Sequence, residues 1–237
     1  MRLCVIPARG GSKRIKKKNI KNFCGKPIIV WSIKAAIASR CFDKIIVSTD
    51  DNEIAKISKS FGVDVPFKRP SNLSDDYTGT VEVVSHAVKW AINNFQKPEY
   101  VCCIYSTAPF IKPVDIKNGL KLLKTHKSDY VFSATNFPYP IQRAFRLKRN
   151  CQLEMFYRNH YTSRSQDFEE AYHDAGQFYW GLANSWLKHK PILNKKAKPI
   201  FLPRDQVHDI DTLDDWRIAE KFFKLFNKKE VIRRKNN

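Results

Sequence analysis

Short apolar runs alternate with amphipathic segments from Leu3 to Ala134. The apolar runs predict five strands, at Leu3–Ile6, Lys44–Ser48, Val63–Phe67, Tyr100–Tyr105 and Tyr130–Ala134. The segments between them carry apolar residues at helical spacing and predict helices over Pro27–Ala38, Asn52–Phe61, Thr80–Phe95 and Pro113–Leu123. This alternation predicts a three-layer α/β fold of the Rossmann-like kind, a mostly parallel sheet with helices on both faces.

The alternation breaks between about 137 and 175, where aromatic and basic residues follow no regular period. We interpret this stretch as a small insertion subdomain within a single domain spanning 1–237. Either it packs on the domain as an ordinary insertion, or it contributes to dimerisation and to the pocket of a second substrate. The pattern then predicts two strands, a helix and a frayed, solvated tail, at Gly176–Gly181, Pro199–Leu202, Leu213–Phe226 and Lys228–Asn237.

Composition is that of a folded cytoplasmic protein. With 43% apolar and 13% aromatic residues the chain can bury a sizeable core. No apolar run approaches the roughly 20 residues of a membrane span, and the N-terminus leads directly into a strand rather than a secretory signal. The six cysteines lack metal-type spacing, so we expect reduced, mostly buried thiols.

The net charge of +20 has three interpretations. A lysine-rich surface without function explains it, as does nucleic-acid binding or an enzyme with strongly anionic substrates. The basic residues are dispersed, apart from runs at 13–18 and in the C-terminal tail. Charge alone does not separate the three.

The loop after the first strand carries the first candidate chemistry. Adjacent Gly10 and Gly11 permit a tight turn that brings backbone N–H groups close to a ligand. Arg9, Lys13 and Lys18 can surround a polyanion with positive charge. The spacing lacks both the Gly-Lys-Ser/Thr of a P-loop and the three-glycine dinucleotide fingerprint. The loop therefore predicts phosphate binding of another kind, with a solvated basic turn as the alternative.

Two aspartates near the C-terminus form the second candidate. Asp209 and Asp211 are two apart in a segment read as extended, which points both carboxylates the same way. Oxygen ligands of this kind suit Mg²⁺ bridging substrate phosphates. The alternative is that Asp211 merely caps the helix beginning near Leu213, where Thr212 and Asp215 resemble a capping box.

Two further polar segments are ambiguous. In the loop 69–80, Arg69 could meet a phosphate or a base edge, and Thr78 and Thr80 could bind a ligand at a helix start. His173-Asp174 precedes a glycine and an aromatic strand, and such a pair is more often structural than catalytic. No serine nearby has the context of a hydrolase nucleophile.

Taken in order, these motifs resemble one family, the CMP-sialic acid synthetases (acylneuraminate cytidylyltransferases). Within the family, Tyr105–Phe110 and Asp174–Gly181 look most like the pseudaminic acid cytidylyltransferases. The segments that carry the resemblance span nearly the whole chain: Ile6–Lys13 with Lys18-Asn19, Val47–Asp51, Arg69-Pro70, Ser74–Asp76 and Asp209–Thr212.

The resemblance implies transfer of CMP from CTP to the anomeric hydroxyl of a nine-carbon α-keto acid sugar, with release of pyrophosphate. It further implies Mg²⁺ as cofactor, a nucleotide-diphospho-sugar transferase-like fold and a homodimer without nucleic-acid or membrane partners. The implied nucleotide and phosphate contacts are Ala8, Arg9, Gly10, Gly11, Ser12, Lys13, Asn19, Arg69, Thr78 and Thr80. The implied catalytic residues are Lys18, Asp209 and Asp211, of which the two aspartates would ligate the metal.

The implied sugar side departs from the sialic acid pattern. Tyr105–Ile111 (YSTAPFI) replaces the usual QPTSPLR, and His173-Asp174 stands where an arginine is usual. Pseudaminic acid carries amides and a methyl where sialic acid has hydroxyls, so we expect it to be the acceptor. N-acetylneuraminic, legionaminic and 3-deoxy-manno-octulosonic acids are alternatives, as is a non-catalytic nucleic-acid-binding protein. The candidate sugar contacts are Tyr105, Arg143, Arg164, His173 and Gln177.

Overall fold

The computed structural model describes residues 1–235, with side chains described as far as Leu225. The strands are β1 Arg2–Pro7, β2 Asn22–Phe23, β3 Lys26–Pro27, β4 Lys44–Ser48, β5 Tyr100–Ile104, β6 Tyr130–Asn136, β7 Phe145–Leu147, β8 Leu153–Met155, β9 Tyr172–Leu182 and β10 Ala197–Phe201. The α-helices are α1 Ile28–Ser39, α2 Asn52–Ser60, α3 Thr80–Asn94, α4 Pro113–His126, α5 Ala183–Leu187 and α6 Leu213–Lys235.

Six of these strands form the central sheet, in the order β10-β6-β9-β5-β1-β4. The pairs β1–β4, β1–β5 and β10–β6 are parallel, whereas β9 runs antiparallel to both of its neighbours. The prediction of a mostly parallel sheet is confirmed. The antiparallel direction of β9 follows from its connection, since it returns from β6 through the insertion rather than through a crossover helix.

Helices cover both faces of the sheet. Side chains alternate along β1, so that Cys4 and Ile6 pack towards α1, α2 and α4, while Leu3 and Val5 pack towards α3 and α5. The largest core side chain, Trp180 of β9, is fully buried and donates its indole N–H to the Ile116 carbonyl of α4 at 2.9 Å. The predicted three-layer arrangement is therefore the one observed.

A third apolar cluster lies apart from these two cores. It joins α6 to the first loop and to the β2–β3 hairpin, and its members are Ile15, Phe23, Ile28, Phe110, Ile210, Trp216, Ala219 and Phe223. The predicted capping box begins α6, because Thr212 Oγ1 accepts from the Asp215 N–H while Asp215 Oδ2 accepts from the Thr212 N–H. The predictions for the side chain of Phe226 and for solvation of the tail 228–237 lie outside the described side chains.

The predicted strand Val63–Phe67 is wrong. The segment makes one isolated bridge to β4, from Asp64 to Ile46, and a second bridge lies just beyond both, from Lys68 to Thr49. Pro66 has no N–H to donate to a ladder, and this interrupts pairing at the outer edge of the sheet.

The insertion between β6 and β9 is shorter than predicted, because β9 begins at Tyr172. It contains the β7–β8 hairpin and several 3₁₀ turns, and exposes aromatic side chains such as Tyr139 and Phe156. Its role in dimerisation stays a prediction.

Four of the six free thiols are buried, and burial raises the pKa of Cys4, Cys102 and Cys103. In the described part of the chain no helix combines the length and apolar character needed to cross a bilayer.

One buried serine, Ser133, stabilises a bulge in β9 through hydrogen bonds. Phe132 pairs with Tyr179 and Ala134 with Asp174, so one residue of β6 lies opposite a longer loop of β9 that contains Gly176 at φ +61°. Ser133 Oγ accepts from the N–H groups of Gln177 and Phe178, each at 3.2 Å. This contact lies where β9 begins to pair with the end of β5, at Phe178 and Ile104.

We expect Ser133→Ala to lower the free energy of unfolding by about 1–3 kcal/mol, because it leaves two buried N–H groups without their acceptor. Urea denaturation measures the change. Ser85→Ala is the matched control, since the Ser85 hydroxyl is buried with no hydrogen-bond partner among the described residues and its removal should be neutral or stabilising. Equal losses in both variants would contradict the assignment.

Candidate active site

A cleft of about 240 Å³ opens where β1 and β5 end and α3 begins. The loops 8–19, 68–78 and 105–112 all contribute to its walls, at the sheet edge where ligands of parallel α/β sheets usually bind. The predicted site residues that line the cleft are Arg9, Ser12, Lys13, Lys18, Asn19, Arg69, Thr78, Thr80, Tyr105 and Asp211.

The first loop is held against the end of β4 by its glycine. The Gly10 N–H donates to Asp50 Oδ1 at 2.9 Å. A Cβ at Gly10 would lie 2.8 Å from Asp51 Oδ2 and 2.9 Å from Asp51 Cβ, so only glycine allows this approach. Asp51 is fixed in turn, since its carboxylate caps α2 by accepting from two N–H groups. Gly10 therefore serves close packing of the loop.

Asn19 fastens the far end of the same loop. Its amide donates to the Arg9 carbonyl at 2.8 Å and accepts from Ser106 Oγ at 2.7 Å, and its side chain is almost completely buried. Asn19 therefore joins the first loop to the loop after β5, and sets the width of the cleft between them.

On one wall the cations of the first loop pair with the loop before α3. The Asp76 carboxylate accepts from Arg9 Nη1 at 2.6 Å and from Lys13 Nζ at 2.5 Å. These two hydrogen bonds lower the pKa of Asp76, and the bond from Lys13 has the larger effect. Asp75 closes the turn by accepting from the Thr78 hydroxyl and N–H. Both basic side chains reach the surface, so an anionic ligand can take the place of Asp76 as their ion-pair partner.

On the opposite wall two cations converge on a carboxylate. Asp211 Oδ2 lies 2.6 Å from Arg14 Nη1, and Asp211 Oδ1 lies 3.3 Å from Lys18 Nζ. The capping carboxylate of Asp215 also accepts from the Asp211 N–H at 3.1 Å, which fixes the backbone there. The two walls thus carry four cations that pair with the carboxylates of Asp76 and Asp211.

Arg69 forms the floor and is 4% exposed. Its Nη2 lies 3.7 Å from Asp50 Oδ1, and neither Nε nor Nη2 has a hydrogen-bond partner among the described residues. Burial is the largest influence on this guanidinium and lowers its pKa. A buried guanidinium with two free donors beside a cleft is suited to an acceptor atom of a ligand.

The start of α3 completes the lining. Gly79 occupies the N-cap and offers no side-chain cap, so the first N–H groups of a 15-residue helix face this region without a side-chain acceptor. Thr80 Oγ1 lies 2.6 Å from the hydroxyl of Tyr105, across the cleft wall. The arrangement therefore combines donors and cations on nearly every side.

Comparison with known proteins decides the family. A family model described as cytidylyltransferase matches residues 3–228. The chain belongs to this family.

Two curated relatives match over almost their whole length. The pseudaminic acid cytidylyltransferase of Campylobacter jejuni serotype O:2 is 45% identical over 223 residues, covering 94% of this chain and 96% of the relative. The CMP-N,N'-diacetyllegionaminic acid synthase of Legionella pneumophila is 32% identical over 236 residues, with the same coverage. A solved structure of CMP:2-keto-3-deoxy-manno-octonic acid synthetase complexed with CTP superposes with a TM-score of 0.68 at 14% identity, covering 94% of this chain and 98% of that one, and shows the same fold.

Membership of the family makes the chain a nucleotidyltransferase, which favours catalysis over the non-catalytic alternative. Some predicted site residues of this cytidylyltransferase nevertheless lie off the cleft. Ala8 is buried in the core, and its N–H already donates to the Ser48 carbonyl. Gly10, Gly11 and Asp209 are not among the residues that line the cleft, and Gly11 and Asp209 are exposed. The proposed contacts of these residues stay predictions.

Of the five sugar candidates, only Tyr105 lines the cleft. Gln177 is buried behind it, donating to the Gln206 carbonyl at 2.6 Å, while its own Oε1 is unpartnered among the described residues. His173 packs on Phe137 at a centroid distance of 4.8 Å. Arg143 and Arg164 are exposed in the insertion, where Arg143 donates to the carbonyls of Tyr161 and Ser163.

The sequence did not single out several residues that the structure brings to the site. Arg14 pairs with Asp211, and Ser106 holds Asn19. Asp76 and Asp50 lay in segments that carried the resemblance, but Asp76 pairs with Arg9 and Lys13 rather than merely ending a turn, and Asp50 accepts from the Gly10 N–H. Periodicity carries no signal for the others, because each acts through a partner distant in sequence.

We expect Gly10→Ala to weaken CTP binding by roughly tenfold or more, since the added methyl group collides with Asp51 and moves the loop. Calorimetric titration with CTP measures the loss. The comparison is Gly11→Ala, whose Cβ would meet no atom within 4 Å. Equal CTP affinities in the two variants would show that the approach of Gly10 to Asp51 does not shape the site.

Proposed function

We propose that this cytidylyltransferase transfers CMP from CTP to the anomeric hydroxyl of pseudaminic acid and releases pyrophosphate. The observation that carries the proposal is the 45% identity with a pseudaminic acid cytidylyltransferase over nearly the full length of both chains. The residues of the cleft support it, since their charges and donors complement a nucleoside triphosphate.

The triphosphate would occupy the space between the two ion-paired walls. Arg9 and Lys13 can exchange Asp76 for phosphate oxygens, and Ser12 adds a hydroxyl donor. Lys18 lies on the opposite wall, where positive charge can stabilise the transferred phosphoryl group. The cytosine would lie towards Arg69 and the start of α3, since Arg69 has free donors and cytosine has acceptors at its carbonyl and ring nitrogen.

The chemistry is an in-line displacement at the α-phosphorus. The anomeric oxygen forms a bond to phosphorus, the bond from phosphorus to the bridging oxygen of the β-phosphate breaks, and pyrophosphate leaves. The hydroxyl proton passes to a base, for which Asp211 is the carboxylate on the cleft wall. Positioning and charge neutralisation supply most of the rate in such transfers.

A divalent cation suits the residues present. Mg²⁺ is usually held by one or two carboxylates together with phosphates and water, and does not need a cage of protein ligands. The part of the chain that the structure describes contains no group of three or more His, Cys, Asp or Glu residues placed to hold a metal, but Asp211 faces the cleft with Asp209 two residues away. These two carboxylates would hold the ion. When bound, it would neutralise charge on the phosphates.

Pyrophosphate release with CTP and a panel of nonulosonic acids tests the proposal. We expect the highest kcat/KM with pseudaminic acid, and lower values with legionaminic and N-acetylneuraminic acids. Faster turnover of legionaminic acid would move the assignment to that sugar. Absence of release with every acid, in the presence of Mg²⁺, would refute cytidylyl transfer to this class of acceptor.

For the two aspartates, we expect Asp211→Asn and Asp209→Asn to lower kcat far more than they weaken CTP binding, because a carboxylate that acts on the reacting groups stabilises the transition state rather than the ground state. Steady-state kinetics and CTP titration measure the two effects separately. Parallel losses of kcat and of CTP affinity would indicate a structural role instead.

A further inference from the structure

One buried glutamine lies in the segment that leads to Asp209 and Asp211. The residues of the stretch 203–210 are exposed or half-buried apart from Gln206 and Ile210, which are 1% and 2% exposed. Asp209 lies between these two buried residues, and Asp211 directly follows the second. The position of both carboxylates therefore depends on the contacts that hold Gln206 and Ile210.

The side chain of Gln206 makes a directional contact with α4. Its Nε2 donates to Asp115 Oδ2 at 2.5 Å, in the first turn of that helix. Ile210 packs in an apolar cluster, where contacts have no preferred direction, whereas a hydrogen bond requires its donor and acceptor to face each other. A slip of one residue would bring Asp205 or Val207 to this place, and neither side chain can donate at neutral pH. The bond from Gln206 therefore fixes which residue of the segment faces α4.

The backbone of Gln206 is joined to β9, and β9 is joined to the cleft. Gln177 is 4% exposed and donates its Nε2 to the Gln206 carbonyl at 2.6 Å. The Gln177 carbonyl in turn accepts from the N–H of Tyr105, which lines the cleft, at 2.9 Å. Tyr105 begins the loop 105–112 and Asp115 lies just beyond its end, so hydrogen bonds connect Gln206 to both ends of this loop.

A ring contact connects the middle of the same loop to the segment. The ring of Phe110 lies 4.5 Å from that of His208 between centroids. Ser106 and Thr107 of the loop line the cleft. The segment that carries the two aspartates is therefore held at three points against a loop that forms part of the cleft wall.

The carboxylate form of Asp115 depends on this contact. Burial is the largest influence on the carboxyl and raises its pKa, while the hydrogen bond from Gln206 and the charge of Lys112 lower it. Removal of the glutamine amide would leave a half-buried carboxylate without this donor, which costs free energy. Gln206 and Asp115 therefore stabilise each other.

We propose that Gln206 and Asp115 are positioning residues that hold Asp209 and Asp211 where these carboxylates bind the divalent cation. The inference rests on the proposed function. Neither Gln206 nor Asp115 lines the cleft, so both act through the backbone between Gln206 and Asp211. Partners that orient metal ligands typically change metal affinity or activity by about ten- to a hundredfold when they are removed.

Two variants break the contact from opposite sides. Gln206→Met removes the amide and keeps the length of the side chain, and Asp115→Ala removes the acceptor. For both we expect kcat to fall by about ten- to a hundredfold, because a small displacement of a reacting group has an effect of that size. CTP affinity measured without a divalent cation should be nearly unchanged, because the proposed triphosphate contacts lie on other residues.

Asp115→Asn tests the hydrogen bond itself. The amide oxygen of asparagine can accept from Gln206 Nε2 in place of the carboxylate. We expect this variant to keep kcat and metal affinity close to those of the wild type. Equal losses in Asp115→Asn and Asp115→Ala would show that the bond to Gln206 has no part in positioning.

Binding of Mn²⁺ to the complex with CTP is a measurement that needs no acceptor sugar. Electron paramagnetic resonance follows free Mn²⁺ while the metal is titrated into protein saturated with CTP. The nucleotide contributes equally in every variant, so a difference between variants reports the carboxylates of the protein. We expect the Kd for Mn²⁺ to rise by about tenfold or more in Gln206→Met and Asp115→Ala.

The matched control is Thr135→Val. Thr135 is 2% exposed and its Oγ1 donates to the Leu202 carbonyl at 2.9 Å, so this variant also removes a buried hydrogen bond from the connection between β10 and α6. Leu202 lies at the other end of that connection, before the exposed stretch 203–205. Urea denaturation measures the stability of every variant. We expect Thr135→Val to lose stability while its kcat and its Mn²⁺ affinity stay those of the wild type.

Three results would overturn the proposal: wild-type Mn²⁺ affinity in Gln206→Met and Asp115→Ala, a loss of stability in these two variants with no loss of kcat, or the same losses of kcat and Mn²⁺ affinity in Thr135→Val. A wild-type protein that binds CTP and Mn²⁺ but releases no pyrophosphate with any acid refutes the proposed function instead. The Mn²⁺ titrations then still decide whether Gln206 and Asp115 position the carboxylates.

Discussion

Two buried isoleucines hold the walls of the cleft together. Ile15 lies in the first loop and Ile210 lies directly before Asp211, and both pack with Trp216 of α6 in a cluster separate from the sheet cores. Burial of each such side chain contributes about 1.5–3 kcal/mol. That energy brings Lys18 and Asp211, 193 positions apart in sequence, within hydrogen-bond distance. The sheet fixes one half of the site, and this small cluster fixes the other half against it.

The charges of the cleft are arranged as exchangeable pairs. Arg9 and Lys13 share Asp76, while Arg14 and Lys18 share Asp211, so like charges are held close together without strong repulsion in the free protein. A triphosphate that entered the cleft would replace the carboxylates of Asp76 and Asp211 as the partners of these cations. Each exchange is energetically small, because exposed ion pairs contribute about 0–1 kcal/mol. Affinity must therefore come from the number of contacts and from Arg69, whose free buried donors gain most from a partner.

Much of the fold was predictable because periodicity is a local property. Alternation of apolar runs and helical patterns placed most strands and helices to within a few residues, although α6 continues to Lys235, beyond its predicted end at Phe226. The Val63–Phe67 strand failed because a five-residue apolar pattern outweighed the missing N–H of Pro66. The bulge of β9 left no pattern, since it depends on hydrogen bonds to Ser133 of another strand.

The candidate site, like the fold, was predictable from the sequence only in part. Residue types identified four of the five cleft cations and Asp211, whose chemistry is evident from the side chain alone. They did not distinguish Asp211 on the wall from exposed Asp209, because that depends on how α6 is capped and packed.

The net charge of the protein and the contacts inside the cleft act on a ligand over different distances. Among the residues that the structure describes, five cations line the cleft and three carboxylates lie against them, so most of the +20 surplus resides elsewhere on the surface. Charge of that kind acts at long range and is screened beyond about 8–10 Å at physiological salt. It raises the rate at which any polyanion arrives, without distinguishing one from another. Selection must then occur at contact, where buried Arg69 offers donors that only a ligand with acceptor atoms in the matching place can use.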